Sequence, residues 1–217
     1  MIALSKTIFS SNRLSSLSRA GLLFITCCTG WLIMELEILG GRILSIYFGS
    51  SIYVVWGSVI GVFLLSLSAG YILGGWLSQK WNAKYYLPIN LCIAAIWIFL
   101  VVYIRKGVCE TVFSLIVDEK WGALTAALAL FSIPTILLAT ITPMVICRLT
   151  KEADQSGTSS GIVFCISTIA SFAGCIITAF YLISFNLATV FKISGTLLFI
   201  IGLGIMGVEL LSGRNQD

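Results

Sequence analysis

With 59% of its 217 residues hydrophobic, 10% charged and a net charge of +4, the chain is too apolar for a soluble domain, where about a quarter of residues carry charge. Histidine is absent and the seven cysteines form no Cys-x-x-Cys pair, so the usual zinc and haem ligand sets are missing and no cofactor is expected. The positive balance calls for no nucleic acid, because the basic residues flank apolar runs as they do beside a lipid bilayer.

Residues 1–20 hold six serines interleaved with Lys6, Arg13 and Arg19. They read as a basic cytoplasmic arm, either a short interfacial helix or a frayed polar segment. The first apolar run, 21–40, follows this basic approach as a signal peptide would. It continues into Glu35-Leu36-Glu37 and Arg42 with no small-residue cleavage site, so a retained helix is expected. That helix should pass Gly40-Gly41 and reach about residue 46, with a hinge at the glycine pair as the alternative.

The stretches 54–78, 87–104, 122–147 and 161–183 contain no Asp, Glu, Lys or Arg, and 189–211 carries only Lys192 and Glu209. Each is near or above the roughly 18 residues that cross a hydrocarbon core as a helix. The expected fold is an all-α integral membrane protein: spans at about 21–46, 54–78, 87–104, 122–147, 161–183 and 189–211, then a short cytoplasmic tail, 212–217. The segment 105–121, containing Cys109, is expected to be the longest outer loop; the other six cysteines fall within spans as packing residues.

Small residues mark two spans. Gly57 and Gly61 form one Gly-x3-Gly step in the second, and Ser66, Gly70, Gly74 and Ser78 continue the pattern on another face. Ala170, Gly174 and Thr178 repeat the device in the fifth. Such stripes let helix backbones approach closely in lipid, either within one bundle or across a dimer face. Ala69-Gly70-Tyr71-Ile72 echoes Ala173-Gly174-Cys175-Ile176, a weak hint of a three-plus-three repeat. Pro134 and Pro143 predict a kinked fourth span.

Ionisable groups inside spans are costly and therefore functional candidates. Here they are Glu35, Glu37 and Arg42, read either as a structural ion pair near the outer end of the first helix or as a substrate or proton site. Glu37 and Arg42 are expected to interact, directly or through water. Counting basic residues gives eight on the side of the termini (Lys6, Arg13, Arg19, Lys80, Lys84, Arg148, Lys151, Arg214) and five opposite (Arg42, Arg105, Lys106, Lys120, Lys192), which predicts both termini in the cytoplasm.

The run from Leu36 through Glu37, Gly40-Gly41-Arg42 and Phe48-Gly49-Ser50-Ser51 to Tyr53, then Trp56-Gly57-Ser58 and Gly70-Tyr71-Ile72-Leu73-Gly74-Gly75, is distinctive. Together these residues resemble the membrane portion of the bacterial and archaeal membrane-bound spermidine synthase-like proteins, fusions of a major-facilitator-like part with a spermidine synthase. Thr142-Pro143-Met144 and Gly161-Ile162-Val163-Phe164 match more loosely. The resemblance implies half of a major-facilitator fold in a prokaryotic inner membrane. The family's aminopropyltransferase-like domain has no counterpart in these residues. Trp76-Leu77-Ser78-Gln79-Lys80 departs from the family's first cytoplasmic loop, which often carries an Asp and an Arg.

Two functions remain in view. One is a non-catalytic membrane subunit or anchor that docks a separate protein partner. The other is a small polytopic transporter of a cationic solute such as a polyamine, acting as a homo-oligomer. No catalytic constellation of His, paired Asp or Ser/Lys is present, so no enzyme activity is expected.

Overall fold

A computed structural model describes residues 19–49, 52–80, 83–150 and 156–214. Most of the basic arm, residues 1–18, and the last three residues of the tail lie outside the described residues. Among the described residues six helices follow one another: α1 (Arg19–Phe48), α2 (Ile52–Lys80), α3 (Ala83–Leu115), α4 (Glu119–Leu149), α5 (Ser156–Phe180) and α6 (Leu187–Arg214), with a 3-10 turn at Leu182–Ser184. Each contains a segment long and apolar enough to cross a membrane, and no strand occurs among the described residues. The protein is a multi-pass, all-α membrane bundle.

Apart from the α3–α4 pair, the main helix pairings survive exchanging α1–α3 for α4–α6. Contact is most extensive between α2 and α4, and its counterpart is the α5–α1 pair; α3 with α6 and α1 with α4 are their own counterparts. Helices three spans apart cross the membrane in opposite directions, so this is an inverted repeat. The register supports it. Ser66, Gly70 and Gly74 of α2 are buried against α4, and 104 residues later Ala170, Gly174 and Thr178 of α5 are buried as well. A Cβ on Gly70 would run into Ala139 Cβ and come within 2.7 Å of Ile136 O; one on Gly74 would meet Thr140 O at 2.5 Å. A Cβ on Gly174 would meet Trp31 O at 2.8 Å, and one on Gly30 would meet Ser167 O at 2.6 Å. Backbone contact this close explains the small residues: in lipid, van der Waals packing has to supply what water supplies to soluble cores.

Three details depart from the expectations. Gly57 and Gly61 do not pack within the bundle; nothing lies within 4 Å of a Cβ built on either, and both are exposed on α2. The outer loop at 105–121 is mostly helix. α3 runs to Leu115, its polar stretch carries a Lys106–Glu110 pair at 3.8 Å one turn apart, and Cys109 is fully buried rather than in a loop. As expected, α1 continues unbroken through the Gly40-Gly41 step. Its missing side chains admit aromatic rings, with Phe131 3.1 Å from a Cβ on Gly40 and Trp56 2.8 Å from one on Gly41. The tail is likewise shorter than expected, since α6 extends to Arg214.

α4 continues through both Pro134 and Pro143. A proline leaves the carbonyl one turn back without its helical donor. At Pro134 that carbonyl is Leu130 O, and Trp97 Nε1 of α3 donates to it at 3.3 Å. The bundle closes around a continuous apolar core that includes Leu39, Ile43, Phe63, Leu91, Ile98, Leu130 and Phe131, with the Phe63 and Phe131 rings 5.8 Å apart.

Candidate functional site

Polar side chains within this core tie specific helices together. Asn90 of α3 donates through Nδ2 to Leu137 O at 3.0 Å and to Thr140 Oγ1, both on α4. Its counterpart in the repeat is Ser194 of α6, 104 residues later, which donates through Oγ to Glu35 Oε1 on α1. Trp31 Nε1, one turn back on α1, donates to Glu35 Oε2 at 2.9 Å. The two ties lie toward opposite ends of the bundle, as an inverted repeat requires.

Glu35 is 3% exposed and accepts two hydrogen bonds from neutral donors; no cationic side chain pairs with it among the described residues. It borders a cavity of about 310 Å³ between α1 and α6, whose walls include Phe24, Cys27, Cys28, Trp31 and Leu32 on α1 and Ser194, Leu197, Leu198 and Ile201 on α6. The cavity marks the largest departure from the repeat. α3 packs extensively on α4, whereas α6 scarcely meets α1. The gap left at the α1–α6 seam is the space in front of Glu35.

Glu37 and Arg42 are not brought together. Arg42 Nη1 donates to the carbonyls of Ile183 and, at 3.2 Å, Phe185, and so fastens the α5–α6 connection to the end of α1. Glu37 is half-buried, with no hydrogen bond or ion pair among the described residues. The expected Glu37–Arg42 pair is replaced because the 3-10 turn presents two carbonyls to the guanidinium. Glu35 faces α6 instead.

The ion pair that does form inside the bundle joins Arg148 Nη2 of α4 to Glu209 Oε1 of α6 at 2.8 Å, with side chains 16% and 1% exposed. It lies at the end opposite Arg42 and links two helices that otherwise barely touch. Sequence placed both residues near the ends of their spans, where they resembled membrane-flanking charges. What could have exposed the pair is one buried acid and one base at the same end of two spans. No group of three or more potential metal ligands occurs among the described residues.

No family model, no curated protein and no solved structure matches this chain. The likeness to the spermidine synthase-like membrane domain therefore rests on the quoted motifs alone.

Proposed function

We propose that the protein is a small membrane carrier for a cationic solute, acting as an oligomer in a prokaryotic inner membrane with both termini in the cytoplasm. The observation that carries this reading is the inverted repeat with a carboxylate that has no cationic partner among the described residues, Glu35, at the seam where the two halves differ most. Inverted repeats with a central polar site recur in secondary transporters because two equivalent halves can exchange inward-open and outward-open arrangements. A buried carboxylate with only neutral donors is costly as a structural element and useful as a cation ligand.

Reconstitution into proteoliposomes with uptake of labelled amines tests the reading. Saturable uptake that Glu35→Gln reduces at least about ten-fold supports it, since a charged hydrogen-bonding contact is worth about 1.5–3 kcal/mol. No uptake of any amine under any ion gradient would sink it. Orientation is tested separately at Val117, which is 96% exposed in the α3–α4 connection. Val117→Cys should react with an impermeant maleimide in intact cells; labelling only after permeabilisation would place the termini outside.

A second reading, a non-catalytic subunit that docks another membrane protein, is favoured by a different observation. Gly57 and Gly61 on α2, and Gly157 and Gly161 on α5, face open space away from the bundle. These stripes suit a neighbouring helix. Gentle purification followed by identification of co-purifying chains distinguishes a foreign partner from self-association.

A further inference from the structure

We propose that the cavity between α1 and α6 binds an amphiphilic monocation, an ammonium head on Glu35 with an apolar body along the groove, rather than a polyamine. This deepens the carrier reading and rests on it for any role in transport. An ionised carboxylate offers about four lone-pair positions. Trp31 Nε1 and Ser194 Oγ occupy two of them, one on each oxygen, and hold the carboxylate in place. The remaining positions suit the N–H donors of a primary or secondary ammonium.

The rest of the groove decides the class. Among the described residues Glu35 is the only acidic one in the lining, and around it stand Phe24, Trp31, Leu197 and Ile201. A second or third ammonium of a polyamine would find no anionic partner along these walls and would lose its hydration without compensation. An apolar body instead gains from burial. A volume of about 310 Å³ falls at the small end of the roughly 300–1,000 Å³ typical of pockets for drug-sized ligands, so one ring or a short alkyl chain fits.

The test uses the full chain in detergent, with tryptophan fluorescence reporting through Trp31 and thermal shift as a second readout. The probes are phenethylammonium, its neutral isostere 2-phenylethanol, and spermidine. Phenethylammonium should bind at least about ten-fold more tightly than either comparison compound, the span expected for one charge-assisted hydrogen bond. Glu35→Gln should remove that preference. Leu197→Trp, at a position 56% exposed and therefore tolerant of bulk, should fill the groove and abolish binding with the fold intact. If Glu35→Gln fails to fold, the wild-type comparison and Leu197→Trp decide. Equal binding of the alcohol, tighter binding of spermidine, full binding by Leu197→Trp or no binding at all overturns the site. Binding without uptake in proteoliposomes upholds the site and removes the carrier reading. Spermidine uptake without phenethylammonium binding does the reverse.

Discussion

Arg42 and Glu37 are five residues apart on α1, yet their partners differ. Arg42 holds the carbonyls of Ile183 and Phe185, and Glu37 holds no described residue. Arg42→Gln should therefore loosen the α5–α6 connection and lower thermal stability, Glu37→Gln should change little, and the double variant should equal the sum. A recovery in the double variant would restore the direct pair. The opposite result belongs to Arg148 and Glu209. Removing one partner of a buried pair costs about 3–5 kcal/mol, because the other charge stays desolvated, while replacing both with apolar side chains is often nearly neutral. Arg148→Met or Glu209→Met alone should lower the melting temperature sharply, and the pair of changes should return most of the loss; additive losses would deny the coupling. Glu35, Glu37 and Arg42, unlike the span-end Arg148 and Glu209, were legible from the rule that charge is rare in spans. Their partners were not, because pairing depends on which helices meet and at what depth, and a 3-10 turn 141 residues away leaves no periodic trace near Arg42.

The elements themselves were largely legible, since charge-free runs of sufficient length leave few alternatives in lipid. Span ends were harder. α3 outlasts its apolar run by about three turns because Arg105, Lys106 and Glu110 favour helix as readily as loop, and the Lys106–Glu110 pair adds a little support across one turn. The small-residue stripes were visible too, but not which of them faces inward. An apolar helix in a bilayer shows no polar face to betray its outside, so Gly57-x3-Gly61 looked as well suited to the core as Gly70-x3-Gly74. The structure separates them and makes a contrast testable. Gly70→Leu or Gly74→Leu should clash with α4 backbone and cost on the order of 1–3 kcal/mol, as overpacking does. Gly57→Leu and Gly61→Leu should leave the monomer's stability in detergent unchanged. If all four behave alike, the α2–α4 contact is not the close one described.

At the scale of the molecule, the ties Asn90–Thr140 and Ser194–Glu35 match to within one residue in register but not in setting: the first lies in a closed α3–α4 seam, the second at an open α1–α6 seam. On the carrier reading proposed above, the protein would reach its other state by exchanging these settings, with α6 closing on α1 while α3 parts from α4. The sequence echo between residues 69–72 and 173–176 hinted at the repeat, but the asymmetry that opens the cavity is a property of packing and has no counterpart in either segment. Two reversible locks test the exchange, in a chain whose exposed Cys147 and Cys165 are replaced by serine. A disulfide between Asn90→Cys and Thr140→Cys should freeze the arrangement described here, stop uptake and leave phenethylammonium binding intact. A disulfide between Leu197→Cys and native Cys28, which stand on opposite walls of the groove, should freeze the exchanged arrangement, stop uptake and abolish binding. Reduction should restore uptake in both. If the Cys28–Leu197→Cys bridge forms and uptake proceeds unchanged, the α1–α6 seam does not close during transport, and the open cavity is a fixed feature of the bundle.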